Sequence, residues 1–213
     1  MAVKSSFKNM TICLFAICLV CSALLAGVYA LTAEPIAAAA ASKNEAAIKE
    51  VLPDTAVAIE EERTVEMDGQ TYAYNLAYDA EGNTVGCAIN VTTLGFGGPI
   101  VIKVGFDAQG TIWNTKVLSQ AETPGLGAKC TEAAFAEQFK GFNPSEKKLS
   151  VKKDGGDVDA ITASTITSRA YTNGLNTAVR VFWTITGTPM LLDAASGAST
   201  LEWTEPSSSE NQN

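Results

Sequence analysis

The strongest constraint on this chain is an uncharged apolar run from Met10 to Leu31, dominated by Leu, Ile, Ala, Val and Cys. As a helix rising about 1.5 Å per residue it extends roughly 33 Å, enough to cross a hydrocarbon core of about 30 Å. Lys4 and Lys8 precede it, and the first acid, Glu34, follows it. The positive-inside rule then keeps residues 1–9 in the cytoplasm, makes residues 10–31 a transmembrane helix and exports the remainder. Val28-Tyr29-Ala30 would also serve as a signal-peptide cleavage site. The run exceeds a usual signal core, which favours a retained anchor, and either reading delivers the rest of the chain across the membrane. Val20 stands before Cys21, where a lipid-modified cysteine needs a small residue.

Beyond the anchor, residues 32–53 read as a stalk. An alanine run at 37–41 leads into Ser42-Lys43-Asn44-Glu45, the pattern of a helix capped by Ser42, with Glu45 completing a capping box and Pro53 as the stop. Residues 54–192 then make one domain of α+β class, an antiparallel sheet with flanking helices. Tyr72, Tyr74, Leu76 and Tyr78 alternate with period two, and Asp79–Asn83 turns the chain into a partner strand at 84–91. A second hairpin pairs 100–106 with 111–118 around Asp107–Gly110, so at least four strands are expected. One helix is expected to be capped by Thr131, with Phe135, Phe139 and Phe142 on one face. A second is expected from about Ser168 to Trp183, where apolar pairs recur every four residues. The Ser-, Gly- and Glu-rich residues 193–213 read as a disordered tail.

Composition removes whole classes of chemistry. The chain has no histidine, which excludes Ser-His-Asp and Cys-His catalysis, His-ligated haem and most zinc sites. A redox role would have to draw its reactivity from a bound cofactor. Of 15 basic residues, Lys4 and Lys8 lie before the anchor, so the remainder faces 23 acids with 13. That balance lacks the basic footprint of nucleic-acid binding. Cys18 and Cys21 match C-x-x-C only formally, inside the apolar run. Cys87 and Cys130 alone fall in the exported part, and spacing leaves open whether they pair.

Candidate chemistry sits in Asp159-Ala-Ile-Thr162-Ala163-Ser164-Thr165-Ile166-Thr167-Ser168. Hydroxyls crowd around Thr165 just before the amphipathic helix. A helix start leaves N–H groups unpaired and favours negative charge, so small residues here would let a phosphate approach. The bland reading is an ordinary N-cap. Upstream, Glu122-Thr123-Pro124-Gly125-Leu126-Gly127 reads by itself as a tight turn centred on Pro124 and Gly125.

Together with Gly95-Phe-Gly-Gly-Pro99 and the anchor, these two segments resemble the FMN-binding subunits of Rnf-type ion-translocating oxidoreductases and of Na+-translocating NADH:quinone reductases. The resemblance runs from about Val3 to Thr186 and is nearest to the Rnf G subunit. In that family a motif of Asp, two residues and Ser/Thr-Gly-Ala-Thr carries FMN on its last Thr, as a phosphoester installed from FAD by a flavin transferase. Here Asp159, Thr162, Ala163, Ser164 and Thr165 occupy those places, which makes Thr165 the attachment residue.

What the resemblance implies is a membrane-anchored, covalently flavinylated electron carrier in the bacterial inner membrane, working beside other membrane and redox subunits. Thr162, Ala163, Ser164, Ile166 and Thr167 would surround the phosphate. Glu122, Thr123, Gly125, Leu126 and Gly127 would line the flavin ring, with Glu122 or backbone groups bonding its edge. Asp159 would assist the transferase. Ala163 replaces the usual Gly; a positive φ there costs an L-residue about 1 kcal/mol or more. Ser119-Gln120-Ala121 stands where many relatives carry His, so this chain has no imidazole proton relay there. The competing readings are a C-type subunit of the quinone reductase and an anchored protein that binds a partner without any cofactor.

Overall fold

The computed structural model describes residues 7–187. The chain divides into two units, one ending at Ala46 and the other beginning at Ala47. The first unit holds the greater part of α1, a helix from Phe7 to Val51. Its large apolar side chains, among them Leu14, Phe15, Leu24 and Leu25, are all exposed. Among the described residues it is the one helix long and apolar enough to cross a membrane. The stalk departs from expectation: Ser42 caps nothing, because α1 runs unbroken through Pro35 and Ser42 to Val51. Alanine is the best helix former, and extending a helix costs less than nucleating a new one, so the run at 37–41 carries α1 onward. Residues 193–213, expected as a tail, lie outside the described residues.

The second unit is built on six antiparallel strands: β1 (Ala58–Ile59), β2 (Arg63–Met67), β3 (Gln70–Tyr78), β4 (Thr84–Leu94), β5 (Pro99–Asp107) and β6 (Ile112–Ser119). The sheet order is β1-β3-β4-β5-β6, with β2 pairing the first half of β3. Turn chemistry sets the registers. Asp68 and Gly69 both have positive φ between β2 and β3, the conformation that lets a two-residue loop follow strand twist. In the next two hairpins an aspartate folds the turn over itself. Asp79 Oδ1 accepts N–H bonds from Glu81 and Asn83, and Asp107 Oδ1 accepts them from Gln109 and Thr111. The two hairpins expected from sequence are therefore present, and β1 and β2 add to them.

Each face of the sheet carries its own core. On one face Ile89, Val91, Ile100, Ile102, Val104 and Phe106 pack with α3 (Thr165–Thr186), through Tyr171, Leu175, Ala178, Val179 and Phe182. Fully burying a side chain of this size is worth about 1.5–3 kcal/mol, so this face supplies most of the cohesion. On the other, Ala77 and Ala88 receive Ile48, Val51 and Leu52. Small side chains are needed there, since a Cβ on Gly105 would stand 1.8 Å from the Val51 carbonyl oxygen.

The Phe135 segment is not the single helix expected. A 3-10 turn at Gly127–Thr131 leads to α2 (Ala133–Ala136), then a second 3-10 turn at Glu137–Phe139. Thr131 bonds back to the Ala128 carbonyl, and the cap position belongs to Glu132. Phe142 forms a bridge with Ile112, while Phe135 and Phe139 pack on Tyr171 at 5.2 and 5.0 Å between ring centres. Tertiary ring packing decides this segment over helical spacing. Cys87 and Cys130 are buried free thiols, pushed up by burial to about 12 and about 11 respectively.

Lys103 is the anomaly of the sheet. It lies two residues from Gly105 on the α1 face, is fully buried, and its ammonium has no hydrogen-bond partner among the described residues. Burial lowers its pKa from 10.5 to about 8, with Glu62 pulling the other way. A lysine lowered in the folded state has shed a proton that the unfolded chain still holds. Stability must therefore climb as pH rises from about 8 to 10.5. Lys103→Met keeps the volume and removes the buried charge. Thermal melts should show it more stable at pH 7 by about 2 kcal/mol, with that alkaline climb flattened.

Candidate functional site

The site is organised around a carboxylate. Glu122 lies three residues beyond β6 and is only 6% exposed, so its charge must find partners inside the protein. Oε1 accepts the Gly97 N–H at 2.9 Å, and Oε2 accepts the Thr167 hydroxyl at 2.6 Å. Its own N–H donates to the Gln120 side-chain oxygen. Glycines make room for it. A Cβ on Gly95 would lie 2.2 Å from Oε1, and one on Gly127 would lie 2.1 Å from Oε2 and 2.6 Å from Thr167 Oγ1. Glu122 thus gathers the Gly95–Pro99 loop, the Glu122–Gly127 loop and the start of α3 onto one point.

Exposed apolar side chains alternate with the residues so gathered. Leu94 and Phe96 flank Gly95, Leu126 precedes Gly127, and Ile166 precedes Thr167. Their exposures are 77%, 71%, 43% and 54%. Thr123, Pro124 and Gly125 form the expected tight turn, with Leu126 N–H bonded to the Thr123 carbonyl at 3.1 Å and Gly125 at φ +76°.

At the helix start, α3 begins with Thr165 itself, three residues earlier than periodicity placed it. Ser164 holds the N-cap position but makes no side-chain capping bond. The N–H groups of Thr165, Ile166 and Thr167 have no acceptor within the helix. Ser168 secures the preceding loop, accepting the Ile161 N–H at 2.9 Å and donating to the Ser164 carbonyl at 3.0 Å. Ala163 sits at φ +61°, so the strain foreseen for a residue standing in place of glycine is present, at about 1 kcal/mol. Thr162 and Ala163 are exposed, Thr165 is half-buried and Ser164 is buried. The ordinary-cap reading does not describe this terminus: its hydroxyls are not spent on capping.

Glu122 and Thr167 turn these hydrogen bonds inward, Glu122 toward Gly97 and the two side chains toward each other. Asp159 is exposed and pairs with Lys152 at 2.8 Å. Sequence reasoning passed over Lys153, whose Nζ lies 3.4 Å from Thr165 Oγ1; it is twelve residues upstream, outside any motif. It also overlooked that Gly95 and Gly97 serve as the bed of Glu122, although their loop stood out in the sequence. The remaining groups suit a flavin mononucleotide. The uncapped helix start with its small neighbours suits a phosphate, and the exposed Leu94, Phe96, Leu126 and Ile166 suit a planar apolar ring.

Comparison with known proteins agrees with this arrangement. Residues 95–180 match the model described as the FMN-binding domain, and residues 1–51 match the RnfG N-terminal region. The G subunit of the ion-translocating oxidoreductase complex of Methanosarcina acetivorans is 35% identical over 75% of this chain and 86% of its own length. The G subunit of the proton-translocating ferredoxin:NAD(+) oxidoreductase complex of Clostridium ljungdahlii is 30% identical over 84% of this chain and 91% of its own. For the G subunit of the Shewanella piezotolerans complex, 39% identical, the match spans about half of each protein, 50% of this chain and 54% of the relative. Matched by both of these models, and at 30% identity or more over most of its length by the Methanosarcina and Clostridium G subunits, the chain belongs to the family of G subunits of ion-translocating oxidoreductase complexes.

Proposed function

We propose that this chain holds FMN as a phosphoester on Thr165 and serves as an electron carrier in an ion-translocating ferredoxin:NAD+ oxidoreductase complex, beside that complex's other membrane and redox subunits. The observation that carries the proposal is the convergence at Glu122. It brings two loops and the start of α3 together, each bearing an exposed apolar side chain (Phe96, Leu126 and Ile166), and Thr165 opens that helix without a side-chain cap.

FMN, when bound, supplies the electron acceptance and release that no side chain of this histidine-free chain offers. The chain's own residues bind and orient. Thr165 Oγ would take the flavin-side phosphoryl group of FAD, with the diphosphate P–O bond breaking, AMP leaving and the hydroxyl proton released. A flavin transferase performs this step, and Asp159 assists it. The first-turn N–H groups and the α3 dipole receive the phosphate negative charge, while Ala163 keeps the approach open. Esterification leaves one phosphate charge and prevents loss of the cofactor outside the cytoplasm. Residues 10–31 cross the cytoplasmic membrane with residues 1–9 inside. The part of α1 between residue 31 and Ala47 serves as the stalk, and the unit that begins at Ala47 serves as the flavin domain on the outer side.

The test is peptide mapping of the full chain co-expressed with a flavin transferase. The tryptic peptide spanning residues 154–169 should be heavier than its sequence by one FMN less one water. Recovery of only the bare peptide, with transferase and FAD supplied, would overturn the proposal.

A further inference from the structure

Three cations flank the start of α3, and two of them are already neutralised. Lys152 pairs with Asp159 at 2.8 Å. Arg169 grips Asp154 through two bonds of 2.7 Å, which holds the Asp154 carboxyl below its usual range and raises the Arg169 guanidinium. Lys153 lies between these partners in sequence, in the 3-10 turn Lys152–Asp154 that Gly155 ends at φ +75°. Its ammonium adds to the positive field on Asp154 but hydrogen-bonds neither carboxylate, and its Nζ lies 3.4 Å from Thr165 Oγ1.

A neutral hydroxyl has no need of a full positive charge beside it. An exposed lysine held against a threonine gains little by itself, since pairs at the surface contribute about 0–1 kcal/mol even between opposite charges. The arrangement becomes favourable once that oxygen carries phosphate. From the reading that Thr165 bears the flavin, we infer that Lys153 is the counter-ion of the phosphoester and orients the acceptor oxygen during transfer. Its N–H donates to Oγ, leaving the hydroxyl proton free to depart as the bond to phosphorus forms. After AMP has left, the diester carries one negative charge, and Lys153 supplies one positive charge within reach of its free oxygens. Charge-assisted hydrogen bonds of this kind are the strong ones. They add here to the field of the uncapped helix start. Lys153 is a positioning and charge-compensating residue; Thr165 remains the one that bonds.

The test follows covalent loading of the full chain over time, co-expressed with the transferase. Its readouts are flavin fluorescence of the denatured band and intact mass. Lys153→Gln should load about tenfold more slowly, as expected for loss of one charge-assisted bond, and Lys153→Arg should recover most of the wild-type rate. Lys140→Gln makes the same charge change at an exposed lysine elsewhere and should load normally. Thermal melts of the unloaded Lys153→Gln and wild-type chains should coincide, which separates a loading defect from a folding defect. Normal loading of Lys153→Gln at Thr165 would overturn the inference, and so would equal slowing of Lys140→Gln or failure of the Arg variant to recover. If the wild-type chain carries flavin at another residue, or none, the assignment of Thr165 itself fails, whatever Lys153 does.

Discussion

Thr165→Val is expected to yield a folded protein that retains no flavin after denaturation, an all-or-none loss of the covalent band. The two side chains share their branched shape, and Val lacks only the oxygen. Among the described residues that oxygen bonds only the Lys153 ammonium, at 3.4 Å, and it caps no backbone group. Removing it should change stability by less than about 0.5 kcal/mol, the usual range for a surface substitution that breaks no network. Intact mass should show the bare polypeptide, and the melting curve should overlay that of unloaded wild type. A fluorescent band surviving in the variant would move the attachment site to another residue.

Glu122→Ala should have the largest effect on the fold itself. The change leaves the Gly97 N–H and the Thr167 hydroxyl unpaired in a place from which water is nearly excluded. Each orphaned buried group costs about 1–3 kcal/mol. The gap cannot close readily, because Gly95 and Gly127 bring no side chain into it. A loss of about 3 kcal/mol is expected, or roughly 6–12 °C in melting temperature for a domain of this size. Glu122→Gln should cost less. Its carbonyl can still accept from Gly97, and its amide can donate to the Thr167 oxygen. Pairing each variant with Thr167→Val in a double-mutant cycle isolates the Glu122–Thr167 bond. Additivity within about 0.3–0.5 kcal/mol would mean that the carboxylate does not join the loop to α3.

Much of the sheet was legible because its hairpins carry local instructions. Alternation in β3 and the Asp-led turns at 79–83 and 107–110 act within a few residues, where pattern and turn chemistry are strong. The weave around Tyr171 was not legible. Phe135, Phe139 and Phe142 have helical spacing, yet their positions answer to a ring on a distant helix and to a bridge with Ile112. β1 is two residues long and β2 lies beside an acidic stretch, so neither carries a pattern to read. Within the candidate site, Thr165 and the Glu122–Gly127 loop are singled out by family resemblance alone. The inward use of Glu122 was not legible, because carboxylates are seldom buried and only the fold reveals which ones are. Lys103 escaped for a related reason. Alternation marks its face as the polar one, and only the packed end of α1 turns that face into an interior.

The fully enclosed Lys103 gives the domain an unusual acid–base profile. A chain without imidazole owns no side-chain type that ordinarily titrates between the carboxylates and the thiols. On moving toward alkali, the enclosed amine, at about 8, releases its proton ahead of either buried thiol. Well below that value the enclosed amine is charged in the folded and the unfolded chain alike, so its own contribution to stability no longer changes on acidification.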